Sequence, residues 1–275
     1  MRDVLKELGL APLRRRSQNF LKDPGLIAEI VEAILKRCSG KTVNIIEIGP
    51  GLGALTVPLL AAGARIWAVE LDRGLAENLR KLDFGDRLTV INQDILTFDP
   101  TEAASAASEP PLVCGNLPYN ISSPILFWFL ERLRLFSGGL FMLQKEMADR
   151  LTAAAGARAY GRLAAALGLW CEIEKVMTVS PAAFHPRPKV ESAIVALRPL
   201  PSAPLPPISV DDFGRFTAAA FAARRKTIFN NLSRAYGRAR AEAALAEAGL
   251  APGLRAETLP PEILARLAAF MAENH

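Results

Sequence analysis

Short apolar and β-branched runs alternate with helical patterns between about residues 41 and 198. This alternation is typical of an α/β domain with a largely parallel sheet, because each helix returns the chain to the same end of the sheet. Seven runs qualify as strands, at residues 43–48, 65–70, 87–92, 111–115, 139–143, 174–179 and 193–198. The pattern therefore predicts one wound sheet of seven mostly parallel strands.

Two helix starts are marked by capping chemistry. Asp23 stands before Pro24, and Ser123 stands before Pro124. A side-chain oxygen followed by a proline suits the first turn of a helix, where backbone N–H groups lack partners within the helix. We therefore predict helices that begin at these two prolines.

The pattern changes at residues 199–207, where PLPSAPLPP predicts a stiff linker. Beyond it the strand patterns end, and helical periodicity predicts helices near residues 210–222, 226–236, 238–249 and 260–272. We therefore predict a first domain with an N-terminal arm, a linker and a small all-helical C-terminal domain, at residues 1–200 (arm 1–22), 201–207 and 208–275.

Composition narrows the classes of protein that fit. Hydrophobic residues make up 51% of the chain and charged residues 22%, which is ordinary for a globular protein. No apolar run approaches the roughly 18 residues that cross a bilayer, so we expect a cytoplasmic protein without a membrane partner. Cys38, Cys114 and Cys171 are widely spaced and the chain has 2 histidines, which predicts neither a disulfide framework nor a metal site.

Positive charge is concentrated in two places. The net charge is +5, and residues 221–240 hold six basic side chains and no acidic one. Arg14, Arg15 and Arg16 form a second cluster. Basic surfaces favour polyanionic partners because binding releases counterions. A solvated basic helix face is the alternative for either cluster.

The run NIIEIGPGLGALT combines a strand, a glycine loop and a helix start. Gly49, Gly51 and Gly53 permit close approach of the backbone to a ligand and unusual dihedral angles. Their spacing is GxGxG rather than the GxGxxG of dinucleotide sites, and a purely structural tight turn would also explain it.

Glu70 ends the next predicted strand, and Asp94 follows the one after it. Glu70 can accept both hydroxyl hydrogens of a ribose, and Asp94 can accept from an adenine amine. Each acid taken alone also fits a loop carboxylate or a helix cap. Because the carboxyl ends of parallel strands share one edge of the sheet, the combination predicts a site for an adenosine-containing cofactor.

After the fourth predicted strand comes the loop of Asn116, Leu117, Pro118 and Tyr119. An adenine amine is a poor nucleophile, and two acceptors that bind its hydrogens would favour a tetrahedral nitrogen. The Asn116 side-chain oxygen and the Leu117 carbonyl can be those acceptors, since Pro118 biases Leu117 toward extended geometry. Tyr119 offers a ring for stacking. A proline turn with a buried tyrosine is the alternative.

This loop resembles the (D/N)PPY-type motif of amino-directed methyltransferases. Further motifs occur in the order found in the small-subunit (16S) ribosomal RNA adenine dimethyltransferase family (KsgA/RsmA): SQNFLKD, EIGPGLGALT, VELD, GNLPYNISSPIL, QKEMADRL, YGRL, FHPRPKVESAIVAL and FAARRKTIFNNL. The resemblance implies a Rossmann-like class I methyltransferase fold for the sheet domain. It also implies S-adenosylmethionine as methyl donor, without a metal.

The resemblance implies specific roles for residues as well. The cofactor would be bound by Asn19, Leu21, Gly49, Gly51, Glu70, Asp94 and Asn116. Phe184 would face Tyr119 across the target adenine, although a core aromatic is the alternative for Phe184. The RNA would be contacted by Arg224, Arg225, Lys226, Arg14, Arg15 and Arg16.

The implied reaction is dimethylation of N6 on two adjacent adenosines in the 3′-terminal hairpin of 16S rRNA. The implied partner is the small (30S) ribosomal subunit, and we expect a monomer. Three alternatives remain: a large-subunit rRNA adenine dimethyltransferase of the macrolide-resistance type, a non-catalytic ribosome-assembly factor and an NAD-dependent oxidoreductase. The missing GxGxxG disfavours the last of these.

Overall fold

The computed structural model describes residues 19–38, 42–202, 204 and 206–273. Contacts divide them into two compact units. The first comprises the described residues up to Lys145 together with Lys175–Arg198. The second comprises Glu146–Glu174 and the described residues from Pro199 onward. None of the helices within the described residues is both long and apolar enough to cross a membrane.

All seven predicted strands are present, and seven of the strands in the described chain form one sheet in the order β4-β3-β2-β5-β6-β9-β7. The remaining two, β1 and β8, pair as a short antiparallel ribbon. The predicted fold class is confirmed. The strands are β1 (Phe20–Leu21), β2 (Asn44–Ile48), β3 (Arg65–Val69), β4 (Leu88–Ile91), β5 (Leu112–Asn116), β6 (Gly138–Gln144), β7 (Cys171–Val179), β8 (Phe184–His185) and β9 (Ser192–Pro199).

The directions of the strands determine which strand ends lie together at one edge of the sheet. β2 pairs in parallel with β3 on one side and with β5 on the other, so the strand order reverses at β2. Open α/β sheets bind ligands at such a switch point, beyond the carboxyl ends of the strands. β9 runs antiparallel to β6, with Ser192 opposite Gln144. The first residue of β9 therefore lies at the edge where β6 ends.

The described residues also form α-helices whose positions follow the predicted pattern. They are α1 (Pro24–Leu35), α2 (Thr56–Ala61), α3 (Arg73–Leu79), α4 (Thr101–Ala106), α5 (Ser122–Glu131), α6 (Lys145–Leu151), α7 (Arg162–Gly168), α8 (Val210–Ala220), α9 (Ile228–Tyr236), α10 (Arg238–Glu247) and α11 (Pro261–Glu273). The last four correspond to the four helices predicted after the linker.

One of the two predicted helix starts is confirmed and the other is wrong. Asp23 caps α1, where its Oδ1 accepts from Gly25 N at 3.0 Å and from Leu26 N at 3.1 Å. Ser123 lies inside α5, whose cap residue Ile121 makes no side-chain hydrogen bond. The neighbouring Ser122 instead donates to the Pro118 carbonyl at 2.9 Å. The helix therefore starts earlier than predicted, and its first residue is hydrogen-bonded to the loop that precedes it.

Each unit has its own hydrophobic core. In the first, apolar side chains from β2, β3 and β5 pack against those of α1 and α2. In the second, Tyr160 and Ala164 pack in one cluster with residues of the C-terminal helices such as Phe213. This packing explains why residues 146–174 group with the C-terminal unit, whereas the predicted boundary assigned them to the first domain.

Of the predicted linker, residues 203 and 205 lie outside the described residues.

Candidate active site

A cavity of about 310 Å³ lies at the carboxyl edge of the parallel strands. Its volume lies within the range of pockets that bind small molecules. Its lining comes from the ends of β2, β3 and β5, from the loop after β4, from β1 and from Met142 of β6. All seven predicted cofactor residues lie on its wall: Asn19, Leu21, Gly49, Gly51, Glu70, Asp94 and Asn116.

The glycine loop after β2 is bound to Glu70 at the end of β3. Glu70 is 6% exposed, and its Oε2 accepts from Gly51 N at 3.0 Å. Its Oε1 accepts from Asp72 N at 2.8 Å. The carboxylate is thereby oriented at the cavity wall.

Gly51 meets two structural requirements at once. Its φ is +60°, a conformation that strains residues with a side chain. A Cβ here would also lie 3.2 Å from the ring of Phe20. The glycine thus lets the loop pass close to β1, which also lines the cavity.

Asp94 caps a short 3₁₀ turn at residues Ile95–Thr97. Its Oδ1 accepts from Leu96 N at 2.9 Å. The structure therefore supports the alternative of a capping role, and the same carboxylate also lines the cavity. A cap uses one oxygen, so the two roles are compatible.

Asn116 is held in one orientation by the N-terminal segment. Its Nδ2 donates to the Asn19 carbonyl oxygen at 2.9 Å. With the amide nitrogen engaged there, the side-chain oxygen is the atom left to act on a ligand in the cavity. Asn116 ends β5, where it lies beside Met142 of β6.

The backbone of the next two residues is fixed in the same way. Leu117 N donates to the Met142 carbonyl at 3.0 Å, and the Pro118 carbonyl accepts from Ile121 N at 3.1 Å. Within the described residues, neither Asn116 Oδ1 nor the Leu117 carbonyl oxygen accepts a hydrogen bond. The two acceptors that amine chemistry requires are therefore available beside one cavity.

Tyr119 lines the cavity and is anchored at its far end. Its Oη lies 2.8 Å from Ser192 Oγ, and either atom can be the donor. Burial raises the pKa of the Tyr119 hydroxyl, and the hydrogen bond with Ser192 opposes that rise. The phenol is thus neutral at physiological pH.

Phe184 does not lie on the wall of this cavity. Its side chain is 1% exposed and packs in the core of the first unit with Leu21 and Ala183. β8 positions it there by pairing Phe184 with Leu21 of β1. The structure places it next to the cavity residue Leu21, and its role at the target base stays a prediction.

Glu47 is a cavity residue that the sequence analysis missed. It is 2% exposed, and its Oε2 accepts from Thr56 Oγ1 at 2.7 Å. Burial raises the pKa of the Glu47 carboxyl to about 7; the Thr56 hydrogen bond opposes this rise and the charge of Glu70 adds to it. An acid in the middle of the apolar strand NIIEI was the available signal, since buried acids with shifted pKa values cluster at functional sites.

The basic residues before α9 differ from one another. The Arg224 guanidinium donates to the Arg158 carbonyl and lies 4.0 Å from Glu257 Oε1. All three basic residues, Arg224, Arg225 and Lys226, are exposed, so the contacts of Arg224 are what set it apart. The predicted RNA contacts Arg14, Arg15 and Arg16 lie outside the described residues.

Possible metal ligands and cysteine thiols were the other candidates for chemistry in the chain. Across the described ranges, no three or more His, Cys, Asp or Glu side chains are grouped so that they could hold a metal ion. Cys38, Cys114 and Cys171 are free thiols, and burial raises the pKa of Cys38 to about 11. A thiol with so high a pKa is a weak nucleophile at neutral pH.

Comparison with known proteins gives concordant matches. The sequence model of a family described as ribosomal RNA adenine dimethylase matches residues 13–273. Ribosomal RNA small subunit methyltransferase A of Shigella boydii and that of Erwinia tasmaniensis are each 40% identical to the chain, covering 95% of this chain and 93% of each relative.

Two solved structures are similar over most of the chain. A dimethyladenosine transferase from Plasmodium falciparum has a TM-score of 0.73 and 25% identity, covering 92% of this chain and 98% of that one. The 23S rRNA methyltransferase ErmE has a TM-score of 0.65 and 32% identity, covering 92% and 100%.

Proposed function

Because the chain belongs to the ribosomal RNA adenine dimethylase family, we propose that it dimethylates N6 of two adjacent adenosines in the 3′-terminal hairpin of 16S rRNA. The proposed substrate is the small ribosomal subunit during its assembly, which puts the reaction in the cytoplasm. The observation that carries the chemistry is the pair of available acceptors, Asn116 Oδ1 and the Leu117 carbonyl.

The cavity residues fit S-adenosylmethionine as the methyl donor. The Glu70 carboxylate lies at the cavity wall and is the kind of group that binds ribose hydroxyls, and Asp94 has a carboxylate oxygen that is not used by its cap. The cofactor supplies an electrophilic methyl group when it is bound. Glu70, Asp94, Gly49, Gly51, Asn19 and Leu21 would hold and orient it.

The residues of the chain then act on the amine. Asn116 Oδ1 and the Leu117 carbonyl would each accept one N6 hydrogen, which favours a tetrahedral nitrogen with its lone pair free to attack. Alignment of the amine with the methyl carbon supplies much of the acceleration. In each transfer the bond from N6 to the methyl carbon would form as the bond from sulfur to that carbon breaks, and the amine would then lose one proton to solvent. A single N6 hydrogen remains after the first transfer, so the second would use one acceptor while the other faces the first methyl group.

Choice of the small subunit is supported by the identities of the relatives. The relatives named for the small subunit share 40% identity over 95% of the chain, whereas the 23S enzyme ErmE shares 32%. The exposed Arg225 and Lys226 would contact phosphates of the rRNA. We further propose that the chain acts as a monomer.

The test uses labelled S-adenosylmethionine with small or large subunits that lack the modification, followed by identification of the nucleoside product. We expect N6,N6-dimethyladenosine in the small subunit alone. Product in the large subunit would favour the macrolide-resistance type of activity. Subunit binding without any methylated product would indicate an assembly factor.

A further inference from the structure

Ser192 connects β9 to the proposed catalytic loop. It is the first residue of β9 and lies opposite Gln144 at the end of β6. Because β9 is antiparallel to β6, this serine stands at the edge of the sheet where β5 and β6 end. The chain beyond β5 therefore passes near Ser192, although the two are far apart in sequence.

The contact at this edge joins two hydroxyl groups. Ser192 Oγ lies 2.8 Å from Tyr119 Oη, and Ser192 is 0% exposed. A buried hydroxyl without a partner is costly, and Tyr119 is the partner of the Ser192 side chain. This hydrogen bond holds the outer end of the Tyr119 ring, and Tyr119 lines the cavity.

We propose that Ser192 is a positioning residue for the methyl transfer: its hydroxyl holds the ring of Tyr119 in the place where the target adenine stacks on it. The proposal rests on the stacking role of Tyr119 within the proposed function. Ser192 lines no part of the cavity among the described residues, so it acts through Tyr119 alone.

The physical argument concerns rotation of the ring. Backbone bonds on both sides fix the loop that carries Tyr119, but a tyrosine still turns about its two side-chain torsions. A hydrogen bond at the phenol oxygen restricts the first of them, because rotation about Cα–Cβ swings this oxygen and the whole ring away from Ser192 Oγ. Base stacking on an aromatic ring is directional, and small misalignments of reacting groups are costly in rate.

The experiment is a double-mutant cycle on turnover with undermethylated small subunits. We expect Ser192→Ala to lower kcat about three- to tenfold, the usual range for losing one hydrogen bond. The KM values for the subunit and for S-adenosylmethionine should stay within about twofold, because phosphate contacts and the cofactor site are untouched. Tyr119→Phe should lower kcat similarly, and the double variant should be no slower than Tyr119→Phe.

A matched control removes another buried hydroxyl. Thr217 is 0% exposed, and its Oγ1 donates to the Gly214 carbonyl at 3.1 Å in α8. Thr217→Val should leave kcat unchanged. Multiplicative effects of Ser192→Ala and Tyr119→Phe, or an unchanged kcat for Ser192→Ala, would overturn the positioning role.

A second cycle separates this proposal from the proposed function. The same three variants are unfolded in urea without any substrate, and the free energies of unfolding give the coupling between the two hydroxyls. We expect a favourable coupling whether or not the wild-type protein methylates rRNA. Absence of coupling in unfolding would overturn the proposal at its structural premise, whereas coupling with an inactive wild type would refute the proposed function and leave only the contact between Ser192 and Tyr119.

Discussion

The cavity edge of the sheet and the basic turn before α9 hold their functional side chains in different ways. At the cavity, Asn116 is held by Asn19, and both oxygens of Glu70 accept backbone N–H groups. In the turn, Arg225 and Lys226 project into solvent. Methyl transfer needs alignment of the reacting atoms, whereas phosphate contacts need charge and reach. The difference indicates which substitutions should alter chemistry and which should alter binding.

The largest expected effect is on cofactor binding. Glu70→Ala removes both proposed ribose acceptors, and each charge-assisted hydrogen bond is worth about 1.5–3 kcal/mol. We expect the Kd for S-adenosylmethionine to rise by about two orders of magnitude or more, measured by calorimetry. Glu77→Ala, which removes an exposed carboxylate on α3, is the control and should bind normally. Unchanged affinity of Glu70→Ala would contradict the assigned role.

The next largest expected effect is a pH dependence of the free energy of unfolding, which comes from the buried acid Glu47. The folded protein raises the pKa of Glu47 to about 7, so the fold favours the protonated carboxyl. Its contribution to stability is therefore present at low pH and is lost as pH rises from the ordinary value of 4.5 through 7. We expect about 2–3 kcal/mol of the free energy of unfolding to be lost from this source between about pH 5 and pH 8.

Urea titrations of wild type and Glu47→Gln at both pH values measure this contribution. The amide cannot ionise, so the variant should lose less stability over the same interval. Because the other titrating groups are common to both proteins, their effects cancel in the comparison. Parallel pH profiles would show that the Glu47 pKa is not raised.

A smaller effect separates the three basic residues of the turn. Removing a phosphate contact lowers the slope of log affinity against log salt by about 1. We expect this change for Arg225→Ala and for Lys226→Ala in binding to small subunits, with unchanged thermal stability. Arg224→Ala should instead lower the Tm, because Arg224 bonds to the Arg158 carbonyl. If all three variants lowered the salt slope equally and none lowered the Tm, the separate structural role of Arg224 would be contradicted.

The sheet and most of its functional edge could be predicted from sequence. Strand patterns are local, and parallel strands bring their carboxyl ends together whatever the details of packing. The acids Glu70 and Asp94 and the loop at Asn116 were therefore located by their place after a strand. The family resemblance predicted from the motifs is confirmed by the match over residues 13–273.

Features that depend on distant contacts could not be predicted in this way. β1 and β8 span two residues each, which is too short for any periodicity. The grouping of residues 146–174 with the C-terminal unit depends on packing such as that of Tyr160. The core position of Phe184 depends on the pairing of β1 with β8. The difference between Arg224 and Arg225 also depends on a distant contact, because only Arg224 is described as bonded to the Arg158 carbonyl.

The most direct test of the account is single-turnover methyl transfer by Asn116→Ala on undermethylated small subunits, with the cofactor Kd measured in parallel. Loss of one of the two amine acceptors should slow transfer about tenfold to a hundredfold, while the cofactor Kd rises by less than about tenfold. Transfer at the wild-type rate would contradict the claim that Asn116 Oδ1 positions the adenine amine.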